Sequence, residues 1–316
     1  MILGGDVGGT KTLLALADSQ GIICERRYPS RDWNEFPALL RAFLAEAGVE
    51  HGIVSAGFGI AGPVEDNRAK VTYLPWIIDG GALAESFGIG AVTVVNDFIA
   101  AAKGVAALRD GDLVTLQEGR VIDGAPRLLV GAGTGLGVAA LLPEGPGWRT
   151  IGGEGGHIGF SPADEDQLAV WRHLARPGGR VTAENVISGS GLVAIYDSLE
   201  KVSPPGAALA DAAAIVAAAA DSPRARRALD TFIAAYGAFA GDLALLFMAR
   251  GGVYIGGSIA PKILPHLRQG GFVQAFRTRG AHAGLMDGFP IRVITEERLG
   301  LLGAFAIAAA HIQTNA

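Results

Sequence analysis

The sequence predicts an α/β fold built from two related halves facing each other across a cleft, and three observations predict it. A strand, glycine-rich turn and strand open the chain, and the same unit recurs at Leu128–Gly145. Apolar runs of strand length alternate with helical patterns. The 316 residues suit two domains of roughly 100 to 200 residues better than one small core.

In the first half, Ile2-Leu3 enter a strand, Gly4-Gly5-Asp6-Val7-Gly8-Gly9-Thr10 turn, and Leu13–Ala17 leave as a second strand. A turn at Ser19-Gln20-Gly21 starts a third. A helix is expected over Asn34–Ala47, a strand over Ile53–Ile60 and a turn at Ala61-Gly62-Pro63. Val92–Val95 is a β-branched strand ending at Asn96-Asp97, and Ala100–Leu108 continues as an apolar helix. An Asn-Asp pair at such a junction caps the helix amides or presents a carboxylate at the mouth of the sheet.

In the second half, Leu128-Leu129-Val130 enter, Gly131–Gly137 turn and Val138–Leu142 leave. The recurrence suggests duplicated halves. A glycine-rich block, Gly152–His157, precedes a helix at Asp164–Leu174. Thr182-Ala183-Glu184 reads as a helix start, and Ser188-Gly189-Ser190-Gly191 leads into a helix through Leu199. Alanine-rich helices are expected from 207 to 250, then a strand from Val253 into a Gly256-Gly257-Ser258 turn, a strand at Ile291–Thr295 and a last helix at Gly303–His311.

Composition narrows the function classes. Half the residues are hydrophobic and 18% are charged, enough apolar material for a large core. A formal charge of −5 without a Lys/Arg-rich run gives no footprint for nucleic acid or an anionic membrane, so neither partner is expected. The one cysteine, Cys24, has no internal disulfide partner, supplies no zinc cluster and reads as a packed strand residue, which suits a reducing cytoplasm. Met1 leads into the first strand without a basic leader. The longest apolar stretches, near Leu209–Ala220 and Leu299–Ile312, fall short of the ~20 residues that span a bilayer and read as core helices.

The glycine turns are the first candidates for chemistry. Gly8 and Gly9 allow a polyanion to approach the backbone, Thr10 offers a hydroxyl and Lys11 a cation, which makes a phosphate cradle; an ordinary hairpin is the alternative. The following strand excludes both a P-loop and a dinucleotide fingerprint. Asp6 is positioned to hold Mg²⁺ through water. Gly133-Thr134-Gly135 is a second cradle, so two turns from facing halves would hold one nucleotide's phosphates. Gly256 and Gly257 leave room for adenine, or make a tight strand-to-helix turn. Glu154 and His157, three residues apart among glycines, offer the mixed donors and acceptors a polyol needs; a metal pair lacks a third ligand at suitable spacing, and a cap or surface turn stays open. Glu184 joins them or serves as a helix-start carboxylate.

These residues resemble the bacterial glucokinases, of the hexokinase, actin and Hsp70-like ATPase superfamily. The resemblance runs almost end to end and rests on Gly5-Asp-Val-Gly-Gly-Thr10, Val95-Asn-Asp-Phe98, Gly131-Ala-Gly-Thr-Gly-Leu-Gly137, Gly153-Glu-Gly-Gly-His157, Ala183-Glu-Asn-Val-Ile-Ser-Gly-Ser-Gly-Leu192 and Gly252-Val-Tyr-Ile-Gly-Gly257. It implies a two-domain, actin-like (ribonuclease H-like) ATPase fold with a central cleft, residues 1–108 plus about 298–316 forming the smaller lobe and 109–297 the larger. It further implies ATP and Mg²⁺ as cofactors, a homodimer, and phosphorylation of glucose at its 6-hydroxyl. Asn96, Asp97, Glu154, His157 and Glu184 would contact the sugar, with Asp97 as general base.

Two positions depart from the family pattern. Tyr73, in Thr72-Tyr73-Leu74-Pro75-Trp76, stands where relatives often carry asparagine near the sugar, as does Lys11 where many have asparagine. A kinase for another hexose or amino sugar is therefore the main alternative. The related zinc-bearing repressor and kinase group carries a cysteine-rich motif after its Glu-x-Gly-His block, where this chain has Phe160-Ser161-Pro162-Ala163. A non-enzymatic ATP-binding protein would not need the polyol cluster, and a DNA-binding regulator would need a helix-turn-helix before the first cradle.

Overall fold

The computed structural model describes residues 1–49, 51–145, 147–199 and 209–314, so positions 207 and 208 of the expected alanine-rich region lie outside it. The chain divides into two compact units, Met1–Arg109 with Glu296–Ala316, and Asp110–Thr295.

The first unit is a mixed sheet with helices on it. Strands β1 (Ile2–Val7), β2 (Lys11–Asp18) and β3 (Gly21–Pro29) form an antiparallel meander. Helix α1 (Phe36–Glu46) follows, and its Phe36, Leu39, Leu40, Phe43 and Leu44 are buried at the spacing of one helical face. Strand β4 (Ser55–Ile60) returns parallel to β1. A small antiparallel sheet of β5 (Val64–Glu65), β6 (Arg68–Lys70) and β7 (Ile77–Asp79), not anticipated from the sequence, leads to helix α2 (Gly80–Phe87). Strand β8 (Ala91–Asn96) lies parallel to β4 and runs into helix α3 (Asp97–Gly104). The order is β3-β2-β1-β4-β8.

Registers Val7–Ile60 and Ile60–Asn96 place the carboxyl ends of the three parallel strands level with one another. That edge is where ligands bind in sheets of this kind. The free edge of β8 is satisfied by Asn67, whose amide donates to the Val92 carbonyl at 2.9 Å and whose Oδ1 accepts from the Val94 amide at 2.7 Å. One face of the sheet packs Leu3, Leu14, Phe36, Phe43, Phe58 and Trp76. The C-terminal helix (Leu299–Thr314) and α3 cover the other face. They come close because β4 is glycine-rich: a Cβ on Gly59 would lie 2.7 Å from that of Ala100. Cys24 sits on β3, half-buried against the core.

The second unit repeats this arrangement. Strand β9 (Leu113–Gln117) precedes the antiparallel meander β10 (Arg127–Ala132), β11 (Leu136–Glu144) and β12 (Gly147–Gly153). Helices α4 (Glu165–Leu174), α5 (Gly189–Ser198), α6 (Ala212–Ala218) and α7 (Pro223–Phe247) come next. Strand β13 (Gly252–Gly256), short helices α8 (Leu264–Leu267), α9 (Gly271–Arg277) and α10 (Ala283–Met286), and strand β14 (Ile291–Ile294) complete the unit. Its order is β12-β11-β10-β13-β14-β9, with β10, β13 and β14 parallel. Meander plus two parallel strands is the pattern of the first unit, as the repeated glycine-turn unit suggested. Helix α7 is long and apolar enough to cross a bilayer, but 67% of its most apolar window is buried within the protein. Its Phe232, Tyr236 and Ala240 pack into the unit's core.

Candidate active site

The first cluster lies at the carboxyl edge of the first unit's sheet. β1 continues through Val7, so Gly4, Gly5 and Asp6 are strand residues and the turn shrinks to Gly8-Gly9-Thr10. The glycines serve packing: a Cβ on Gly5 would lie 2.8 Å from Leu14 and equally crowd the Phe58 ring. The Gly8 amide donates to the Lys11 carbonyl at 3.0 Å, closing the turn. Behind it the buried Ser30 hydroxyl donates to the Gly8 carbonyl at 2.7 Å and lies 2.9 Å from the Thr12 hydroxyl. Sequence reasoning missed Ser30, whose hydroxyl partners, Gly8 and Thr12, are distant in sequence. Thr10 and Lys11 are exposed beyond the turn.

Both uses foreseen for the Asn-Asp pair are realised, one by each residue. Asn96 caps α3: its Oδ1 accepts from the Phe98 amide at 2.9 Å while its Nδ2 donates to the Gly62 carbonyl at 3.1 Å. Asp97 begins the helix, and its Oδ1 accepts from the Phe98 amide at 2.8 Å. Burial and then the negative charge of Asp6 push the Asp97 carboxyl up to about 6, against the hydrogen bonds that favour its ionised form. Burial also raises Asp6, with Lys11 and Arg27 opposing. Two carboxylates at the same sheet edge thus raise the cost of charging both, and Lys11 and Arg27 offset part of that cost at Asp6.

The second cluster belongs to the second unit. The turn of β10 and β11 is closed by a bond from the Gly133 amide to the Gly135 carbonyl at 2.8 Å, and the Gly189 amide at the start of α5 donates to the Gly133 carbonyl at 2.9 Å. Thr134 is exposed at its tip. Buried Tyr236, a further residue missed from sequence, bridges β10 by donating to the Val130 carbonyl at 3.1 Å and accepting from the Ala132 amide at 3.2 Å. Gly256 ends β13 beside Gly131. Gly257 follows with φ 81°, and the Ala132 carbonyl fills the space a Cβ would need. The chain bends at Gly257 and Ser258 lies beside Gly133, but residues 257–263 separate β13 from the next helix, so the tight strand-to-helix turn foreseen as an alternative is not formed.

Glu154 and His157 flank a single helical turn, with His157 Nε2 3.8 Å from Glu154 Oε2 and both side chains largely exposed, 57% and 84%. Gly152 and Gly153 belong to β12, not to a loop. The expected helix start at Thr182-Ala183-Glu184 is corrected. Thr182 and Asn185 cap each other, the Thr182 amide donating to Asn185 Oδ1 at 3.0 Å, but the turn stops there, and Ser188 caps α5. The Glu184 amide donates to the Gly156 carbonyl at 2.8 Å, and its Oε2 accepts from the Leu136 amide at 2.9 Å. Glu154, His157, Glu184 and the Gly133–Gly135 turn are therefore one assembly.

A glycine turn and a carboxylate pair in the first unit, and a glycine turn and a Glu-His pair with an anchored Glu in the second, are the groups whose chemistry suits phosphate and polyol contacts. A family model for glucokinase matches residues 3–311. The chain belongs to the glucokinase family. The glucokinase of Nostoc sp. is 36% identical over 98% of this chain and 99% of its own, and that of Synechocystis sp. is 35% identical over 97% of each. Among solved structures, a glucokinase from an Antarctic psychrotroph superposes with a TM-score of 0.87 at 27% identity, covering 98% of both chains. A ROK hexokinase from Thermus thermophilus shares the fold, with a TM-score of 0.72 at 21% identity over 99% of both chains. This glucokinase-family enzyme has the mixed α/β, actin-like ATPase fold that the resemblance implied.

Proposed function

We propose that the chain transfers the γ-phosphoryl group of ATP to the 6-hydroxyl of glucose, giving glucose 6-phosphate and ADP, with Asp97 as general base. The observation that carries this is the Asp97 carboxyl at the start of α3, just past the carboxyl end of β8, raised to about 6 and so ionised at neutral pH while close enough to that pH to accept a proton. As the sugar O6 bonds to the γ-phosphorus, the bond to the β-bridging oxygen breaks and the hydroxyl proton passes to Asp97. Such a base contributes roughly 10²–10⁴-fold, about 3–5 kcal/mol of barrier.

Asn96 and Asp97 from the first unit and Glu154, His157 and Glu184 from the second are the proposed sugar ligands. Asn96 is held by Gly62 and the α3 amide, and Glu184 by Leu136, so each would meet the sugar in a fixed orientation. Gly8, Gly9, Thr10 and Lys11, with Gly133, Thr134 and Gly135, are the proposed phosphate contacts, and Gly256 and Gly257 the proposed adenine contacts.

Among the described residues no three His, Cys, Asp or Glu side chains gather as a metal site. Mg²⁺ fits the carboxylate pair differently, since it prefers one or two carboxylates, waters and substrate phosphates to an all-protein cage. Asp6, buried near a second carboxylate and beside the Gly8 turn, would hold it through water. When bound, the ion neutralises charge on the phosphates. A homodimer in a reducing cytoplasm completes the proposal.

A kinase for another hexose is the second reading, favoured by Tyr73, which is 82% exposed beside the first glycine turn. Initial rates across a matrix of donors (ATP, ADP, polyphosphate) and sugars (glucose, mannose, fructose, N-acetylglucosamine) decide between them. Glucose with ATP should be fastest; fast turnover of another sugar with negligible glucose activity overturns the substrate assignment.

A further inference from the structure

Two hydroxyls behind the first glycine turn are fully buried: that of Thr12 on β2 and that of Ser30, the residue after β3. Buried hydroxyls are costly unless paired, and these two are paired in a definite direction. Ser30 Oγ carries one proton, and the Gly8 carbonyl, which can only accept, takes it at 2.7 Å. The 2.9 Å bond between the hydroxyls therefore runs from Thr12 to Ser30. The result is a chain from the Thr12 hydroxyl through the Ser30 hydroxyl to the Gly8 carbonyl, in which each bond strengthens the next.

Ser30 holds the turn by its backbone as well, its amide donating to the Thr10 carbonyl at 3.0 Å. The Gly8 amide is spent on the Lys11 carbonyl. Between these fixed groups the Gly9 amide donates to no group among the described residues. It lies in the same planar peptide as the Gly8 carbonyl, whose resonance couples the two. Electron density drawn onto the Gly8 oxygen by Ser30 leaves the Gly9 N–H more positive. A polarised, immobile N–H is worth most to an anion.

We propose that Ser30 is a positioning residue for the nucleotide: the Thr12–Ser30 chain fixes the Gly8–Gly9 peptide and polarises its N–H for a phosphate oxygen. This rests on the reading of the Gly8–Lys11 turn as a phosphate contact.

The test compares wild type with Ser30→Ala, Thr12→Val, the two combined, and Thr12→Ser in the full chain. Calorimetry measures binding of a non-hydrolysable ATP analogue with Mg²⁺, kinetics the KM of each substrate, and thermal melts the stability. Ser30→Ala should weaken analogue binding about tenfold and Thr12→Val about threefold, with the sugar KM within about twofold of wild type. Thr12 acts only through Ser30, so the double variant should bind no more weakly than Ser30→Ala. Thr12→Ser keeps the hydroxyl and should bind within about twofold of wild type. Stability should part from affinity: Ser30→Ala leaves the Thr12 hydroxyl buried and unpaired, so adding Thr12→Val should raise the melting temperature without restoring binding. Affinity that recovers together with stability, or losses that add in the double variant, would reduce Ser30 to a structural brace and overturn the proposal. Wild-type analogue binding by Ser30→Ala overturns it too. Should Ser30→Ala not fold, the isosteric Thr12→Val decides by the same titration, unchanged binding overturning the proposal. A loss confined to the sugar KM overturns both the proposal and the assignment of this turn to phosphate. A wild type that binds no nucleotide overturns the kinase reading and the proposal with it.

Discussion

The carboxylate of Glu184 accepts a hydrogen bond from the Leu136 amide at 2.9 Å, so a proposed sugar ligand is fastened to the turn proposed to hold phosphate. The space behind Gly135 is filled by the same oxygen: a Cβ there would lie 2.6 Å from Glu184 Oε2. Glu184→Ala should therefore raise KM for both substrates, by about tenfold or more, the worth of one charge-assisted hydrogen bond. Gly135→Ala should lower kcat/KM without lowering the melting temperature of the unit as a whole. Steady-state kinetics varying each substrate in turn checks this; an effect of Glu184→Ala on the sugar alone would separate the two sites.

Glu154 has no such second duty. Its carboxylate is exposed, and the His157 imidazole lies 3.8 Å from it. Glu154→Gln should weaken glucose binding while nucleotide binding stays nearly unchanged, as read by titration calorimetry with each ligand. A loss confined to the nucleotide would exchange the assignments of the two clusters.

The pH profile follows from Asp97. A general base works only when deprotonated, so kcat/KM should fall on the acid side with an apparent pKa near 6. Burial is the larger cause and Asp6 the next, so Asp6→Asn removes one of them and should move the acid limb of the residual activity to lower pH. An acid limb that stays in place when Asp6 is neutralised would show that their charges do not interact.

Folding stability should carry the same signature with the opposite benefit. A carboxyl whose folded pKa is raised from 3.8 to about 6 favours folding while protonated and progressively less as pH rises through that window. At pH 8 the buried charge is a full cost, so Asp97→Asn should be more stable than wild type there by about 1–3 kcal/mol, a difference that shrinks toward pH 4. Urea denaturation at both pH values measures it.

Helix α3, which begins at Asp97, is seated by Gly303. A Cβ at that position would overlap the Ala100 carbonyl and come within 3.0 Å of the Gly104 amide. Alanine is the better helix former by about 1 kcal/mol, yet the obstructing atoms are backbone and cannot rotate away. Overpacking of about 1–3 kcal/mol should prevail, lowering the melting temperature of Gly303→Ala. A more stable variant would mean that α3 is free to shift.

Much of this was legible in the sequence because it depended on local pattern. The apolar stripe of α1, the β-branched run of β8 and both glycine turns are signals contained within a dozen residues. What escaped depended on distant partners. Gly4 and Gly5 read as turn residues, but they are strand residues made small for Phe58, Leu14 and the C-terminal helix. The β5–β7 sheet is too short and polar to show a period, and its hairpin, Asp66-Asn67, lacks glycine. Thr182 carried a genuine capping signal that was answered by Asn185 for one turn only. Ser30 and Tyr236 brace the two glycine turns from elements far along the chain, and nothing in their neighbourhoods marked them.

The most direct test is the turnover of Asp97→Asn. With glucose and ATP in a coupled assay, kcat should fall by at least ~100-fold while glucose affinity stays within about tenfold, because the amide keeps the Phe98 hydrogen bond but no longer accepts a proton. Turnover near the wild-type value would remove Asp97 as the base and contradict the mechanism.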